Sequence, residues 1–224
     1  MPQTTIVGQN LPYILIVIVA TIMAVFVAAP FHEFAHAYAA KKEGDYTAVA
    51  CGRYTLAPLA HFDWTGFFML LIFRFGWAKP VPVDSRNFKN GRKSQLKVAC
   101  AGIIANLILG TFFLFMYLFI LKIRPAFYES SYYGLLVGSF LEMSVSLNFM
   151  LAFFNLLPLY PLDGYKIIDS FCKFENSFLQ FMKKHSMWIY LIVIFTSLYS
   201  IYYTYTAGVL VDGLIKLFSW MLRL

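Results

Sequence analysis

His32-Glu33-Phe34-Ala35-His36 sets two imidazoles four residues apart with a carboxylate beside the first. On a helix, positions i and i+4 lie on one face on successive turns, so both rings can bind one cation. Glu33 then stands next to the cation and its water, where a carboxylate can accept a proton. This is the pattern of metal-assisted hydrolysis, which needs two His ligands, a third protein ligand and an open position for water. Five residues match such a pattern by chance often enough that context must decide. The chain has four His, two of them here, and Glu33 is the sole acid in the first 42 residues. A polar cluster that merely joins helices explains this less well, because a charge near the centre of a membrane helix costs roughly 3 kcal/mol or more.

The third ligand must come from elsewhere. Asp163 in Leu162-Asp163-Gly164 is the best candidate, since it follows a span on the same predicted side and is next to a flexible Gly, with Glu142 and Asp169 as competitors. Asp before Gly is also common in plain turns. Asn106 and Asn155 are candidates for substrate binding, since an amide inside a membrane can hold an extended backbone or an oxyanion. It can equally join two helices. His61 and His185 read as loop or interfacial residues, having no ligand partner at helical spacing. Cys51, Cys100 and Cys172 form no CxxC pair and no disulfide framework.

The elements that must carry these residues are membrane helices. Of the 224 residues 60% are hydrophobic and only 13% charged, about half the charge of an ordinary soluble domain. The sequence predicts an all-α multi-pass membrane protein, one domain over 1–224, with four to five transmembrane helices. Spans are predicted at 11–40, 96–121, 133–157 and 187–206, and 207–222 is either a tilted fifth span or an interfacial helix. Pro30 predicts a kink or a break in the first. Between the first two, Pro58, Pro80 and Pro82 exclude one continuous helix. That region reads as a membrane-associated loop, partly β or re-entrant, with short strands over 47–56. Residues 171–184 read as an interfacial stretch with Lys173, Lys183 and Lys184 near aromatic residues. The first apolar run is long and has no basic residue before it, which argues against a cleaved signal peptide.

The net charge of +7 does not point to nucleic acid, because Lys and Arg gather between apolar runs. Residues 41–97 hold ten of them, 122–133 two and 159–187 four. The positive-inside rule puts the first and third groups in the cytoplasm, so HEFAH and PLDG share the cytoplasmic end of their helices.

Read in order, HEFAHA, GRYTLAPLAHFD, GWAKPVPV, AGIIAN and NLLPLYPLDG resemble the site-2 protease family of intramembrane zinc metalloproteases. The resemblance covers about 11–170, leaves C-terminal helices at 187–224, and is nearest to small prokaryotic members without a PDZ or CBS domain. It implies one Zn²⁺ per chain on His32, His36 and Asp163, Glu33 as catalytic acid/base, and substrates that are transmembrane segments of other proteins in the bilayer. Ala57 stands where relatives commonly show Asn, and Ile103 where Pro is usual. Two other classes compete: a silent adaptor that binds transmembrane helices, and a metal transporter. The adaptor has no use for Glu33, and the transporter needs ligands along a path rather than in one cluster. The sequence leaves the oligomeric state open.

Overall fold

The computed structural model describes residues 10–73, 78–172, 176–196 and 198–224. Gly76 and Trp77 of GWAKPVPV, and Lys173 of the interfacial stretch, lie outside the described residues. Among the described residues every regular element is helical. Four helices among the described residues are long and apolar enough to cross a membrane: Leu11–Lys42, Arg92–Ile123, Tyr132–Asn155 and Leu198–Leu222.

Helix α1 (Asn10–Lys42) is continuous through Pro30, so the predicted break is absent. Its 33 residues make a rod of about 50 Å, longer than the hydrocarbon core. Ala20, Ala24 and Ala28 are fully buried at intervals of four. Such a stripe lets other helices approach closely, which is how membrane helices gain contact where water gives no drive. Helices α4 (Arg92–Ile123) and α5 (Tyr132–Asn155) complete a three-helix core with it. A short turn joins α4 to α5, so the two run antiparallel. Gly110 of α4 takes the buried Phe149 ring, which a Cβ would meet at 3.0 to 3.2 Å.

The predicted strands over 47–56 are not found. Thr47–Ala50 is a single helical turn, α2. The cause is local: the Asp45 carboxylate accepts from the Thr47 N–H (3.0 Å) and from its hydroxyl, which turns the chain at once. Gly52, at φ 66°, then ends the turn. Helix α3 (Trp64–Phe73) has ten residues and is too short to cross. A stretch without regular structure carries the chain past Ala78–Asp84 toward α4.

The C-terminal region also differs from expectation. Helix α7 (Ser177–Phe195) ends at Thr196, whose hydroxyl donates back to Ile192 O at 2.6 Å. The span begins only at Leu198, where α8 (Leu198–Tyr203), a π-helical turn (Thr204–Gly208) and α9 (Val209–Leu222) follow one another. The apolar stretch 187–206 is therefore cut near its middle, and 207–222 is the second half of the fourth span. Lys183, Lys184 and His185 lie inside α7, which keeps that helix from being apolar throughout. Helix α6 (Asp163–Phe171) is short and lies against α4.

Asp45 ties the loop region to the end of α1. It is fully buried, and besides Thr47 it accepts from Asn87 Nδ2 (2.9 Å) and the Asp84 N–H (2.8 Å). Burial pushes its carboxyl up, but the Thr47 and Asn87 side chains and these backbone donors outweigh burial and hold it below the usual range. A lowered carboxyl contributes stability that is complete above its unfolded value of about 4 and fades as pH falls through the folded value. Asp45→Ala should therefore lower stability by about 1 to 3 kcal/mol near neutral pH, since buried donors lose their acceptor. It should also flatten the acid side of the thermal unfolding midpoint against pH; an unchanged midpoint and acid slope would count against this role.

Candidate metal centre

The two motifs at the ends of α1 and α5–α6 meet in one buried cluster. His32, His36 and Asp163 each turn a ligand atom into it, all within 4.8 Å of one another. The ring nitrogens His32 Nε2 and His36 Nε2 are 3.1 Å apart, and Asp163 Oδ2 lies 3.4 Å from the first and 3.0 Å from the second. All three side chains are nearly excluded from solvent.

Hydrogen bonds behind the rings set their tautomers. His36 Nδ1 faces the Val98 carbonyl at 2.8 Å and must donate to it. His32 Nδ1 faces Asn106 Oδ1 at 2.6 Å. The Asn106 amide is oriented by its other end, where Nδ2 donates to Asn148 Oδ1 (2.8 Å) and Ala28 O (3.3 Å). Asn148 is fixed in turn, since its own Nδ2 donates to Ser144 O at 2.8 Å. Both rings thus carry a proton on Nδ1, and in the neutral form each aims an Nε2 lone pair at Asp163 Oδ2. That oxygen is buried with no conventional hydrogen-bond donor. Three lone pairs converging in a dry site repel unless positive charge lies among them. Burial pushes the Asp163 carboxyl up, but His36 and His32 beside it and the Lys166 ammonium, 3.0 Å from Oδ1, hold it well below the usual carboxylate range. A divalent cation among the three atoms satisfies them all at once. The donor set, two imidazoles and one carboxylate with a second shell behind each ring, fits a metal.

Space for the cluster depends on two glycines. A Cβ on Gly102 of α4 would collide with His36 Nε2 and meet His32 Cε1 at 2.6 Å. A Cβ on Gly164 would strike the Leu156 and Leu157 carbonyls, so Gly164 lets α6 start directly under the end of α5. The other open acids go elsewhere. Glu142 accepts from Tyr117 OH at 2.8 Å and Asp169 from Gln95 Nε2 at 2.8 Å.

Glu33 is partly buried one residue from the first ligand, and its Oε2 accepts from the Val81 N–H at 2.7 Å. Val81 is buried beside Ala37 and Ala48. Its segment is anchored on both sides: Arg53 Nη2 donates to Lys79 O (2.6 Å), Lys79 N–H to His61 O (2.9 Å), and Asp84 N–H to Asp45 Oδ2. His61 is itself buried, with Nε2 against Thr55 O at 2.8 Å. Val81 is an ordinary apolar residue by type, and sequence reasoning missed it. The available signal was its place between Pro80 and Pro82, which leaves it the one N–H in that tripeptide.

Of the two amides predicted to bind substrate, Asn106 is fully buried with its oxygen and both protons engaged. Its observed work is to orient His32. Asn155 is half-buried at the end of α5 and donates from Nδ2 to Leu151 O at 3.0 Å. Removing an orienting group behind a metal-ligating imidazole commonly weakens binding by about 10- to 100-fold. Asn106→Ala should show that loss in competition with a chelator, while Asn155→Ala should leave metal affinity unchanged. Equal affinity of the Asn106 variant and the native chain would contradict the orienting role.

Comparison with known proteins agrees with this geometry. A sequence model of peptidase family M50 matches residues 126–199, a stretch that contains Asp163 but not the His pair. The chain is 40% identical over 161 residues to a Bacillus subtilis (strain 168) protein named "Putative zinc metalloprotease YwhC", covering 71% of this chain and 68% of that protein. No solved structure matches. With that relative aligned over more than two thirds of both chains, and a metal-ligand cluster assembled from HEFAH and LDG, the chain belongs to peptidase family M50, the site-2 protease family.

Proposed function

We propose that this chain is an intramembrane zinc endopeptidase that hydrolyses peptide bonds in or near transmembrane segments of other membrane proteins. The observation that carries the reading is the convergence of His32 Nε2, His36 Nε2 and Asp163 Oδ2 at one end of spanning helices, with Glu33 beside them. His32, His36 and Asp163 would hold a zinc ion there, which would supply a water of pKa lowered toward about 7 and a Lewis acid for the scissile carbonyl. Glu33 accepts the proton from the attacking water and delivers one to the leaving amine. The Val81 N–H fixes which way the Glu33 carboxylate points. His32 and His36 keep their Nδ1 protons on Asn106 and Val98 throughout.

The substrate must unwind, because a helix hides its peptide bonds in hydrogen bonds and a freed backbone group needs a partner in a dry site. Asn155 and the irregular segment around Pro80–Pro82 are the groups best placed along the chain to offer such partners. The Lys and Arg distribution puts this end of the helices in the cytoplasm, in a multi-pass protein of the cell membrane. An adaptor would have no need of a carboxylate held next to a ligand set. A transporter would need ligands along its path, and among the described residues one cluster of metal-binding type is found.

The test is a folded, zinc-loaded and inactive variant. Glu33→Gln keeps shape and still accepts from Val81, but cannot act as a base. In detergent it should keep its zinc and its unfolding midpoint while cleavage of a model transmembrane substrate falls by about 10² to 10⁴. Cleavage near the native rate would rule out Glu33 as the base. A second pair isolates the backbone donor. Val81→Pro removes the N–H that Glu33 accepts from, whereas Val81→Ala keeps it. The Pro variant should lose kcat by about tenfold or more, at unchanged KM, because one charge-assisted hydrogen bond contributes about 1.5 to 3 kcal/mol. The Ala variant should stay close to native in kcat, and equal kcat for both would remove Val81 from the mechanism.

A further inference from the structure

Beyond the metal centre, the end of α1 carries a second feature of distinct chemistry. Tyr38, Lys41, Lys42, Tyr46, Tyr54 and Lys89 line a cavity of about 340 Å³. Three segments build it: the last turns of α1, the loop after it, and the chain just before α4. Three ammonium groups share this cavity, and no acid lines it.

Their present partners are weak. Lys41 Nζ lies 4.4 Å from the centre of the Tyr54 ring and Lys42 Nζ 4.9 Å from that of Tyr38. Lys89 Nζ donates to Lys42 O at 3.3 Å. Among the described residues none of the three pairs with a carboxylate. Two acids stand next to them in sequence, yet both are committed elsewhere. Glu43 accepts from Lys97 Nζ and Ser94 Oγ, each at 2.6 Å. Both Asp45 oxygens are taken by Thr47, Asn87 and the Asp84 N–H. Stabilising the C-terminal dipole of α1 would account for Lys41 and Lys42. Lys89, which comes from another segment, also reaches the last carbonyl of α1 and so brings a third like charge into the same space.

Composition selects the missing anion. Lys42 closes the first apolar helix, and Lys beside Tyr is a pairing favoured at the membrane–water interface, where lipid phosphates lie. Tyr is favoured at that level, with an apolar ring and a polar tip. Tyr46, which lines the cavity, is exposed, giving acyl chains an apolar surface beside the charge. We propose that this cavity binds the phosphate headgroup of an anionic phospholipid, with Lys41, Lys42 and Lys89 as its cationic contacts. Because Lys41 follows His36 by five residues on the same helix, the bound lipid anchors the helix that carries His32, Glu33 and His36.

The proposal is independent of the protease reading and is tested without a substrate. The full-length chain, purified in neutral detergent, is given dioleoylphosphatidylglycerol or dioleoylphosphatidylcholine, and bound lipid is counted by native mass spectrometry. One anionic lipid should be retained preferentially. K41Q/K42Q/K89Q should abolish the preference, since each such lysine contributes about a fivefold factor, and K41R/K42R/K89R should restore it. The single variant Lys89→Gln, in the loop just before α4, should weaken retention about fivefold and serves if the triple variant does not fold. A control with the same charge loss elsewhere, K93Q/K184Q/K216Q, should keep the preference. Three results would overturn the proposal: native retention in both the triple and the Lys89 variants, equal loss in the control, or full displacement of the lipid by millimolar inorganic phosphate.

Discussion

Three lone pairs aimed at one point inside a buried site cannot persist without positive charge between them. His32 Nε2, His36 Nε2 and Asp163 Oδ2 stand in that relation, about one hydrogen-bond length apart and shielded from water. The low dielectric that makes the arrangement costly when empty makes it strong when a cation is held. Much of the surrounding structure serves this constraint. The Val98 carbonyl and Asn106 fix the rings from behind, and Asn148 fixes Asn106.

The constraint also explains why small residues lie where they do. α4 must come close enough to α1 for Val98 O and Asn106 to reach the rings, and Gly102 sits at the point where any side chain would strike both His rings. α6 must begin where α5 ends, so that Asp163 enters from below, and Gly164 is the residue that lets it do so. The alanine stripe of α1 lies buried within the same three-helix core. Packing here is less a source of general stability than a means of setting ligand positions to within a fraction of an ångström.

The candidate ligand pair was legible because its chemistry is tied to local spacing. An i, i+4 His pair with an acid beside it means the same thing on any helix, and the long apolar runs made the helices certain. Asp163 was only the best of three candidate acids until the LDG resemblance separated it, because its approach depends on a tertiary meeting of α6 with α1. What the sequence misread has physical causes. The β-branched and aromatic residues of 47–56 suggested strands, but the Asp45 side chain supplies a local turn and no partner strand lies beside it among the described residues. Hydropathy placed a span over 187–206 because it cannot see where Thr196 ends one helix and Leu198 begins the next. Val81 was invisible, since its contribution is a backbone N–H delivered by a loop 48 residues from the carboxylate it holds.

The most direct measurement of the central claim is X-ray absorption at the zinc edge on the purified, full-length chain. One Zn²⁺ per chain is expected, with two imidazole nitrogens at about 2.0 to 2.1 Å and oxygen ligands at about 2.0 to 2.2 Å from a carboxylate and a water. A chain that binds no metal after reconstitution, or a spectrum dominated by sulfur at about 2.3 Å, would contradict the site built from His32, His36 and Asp163.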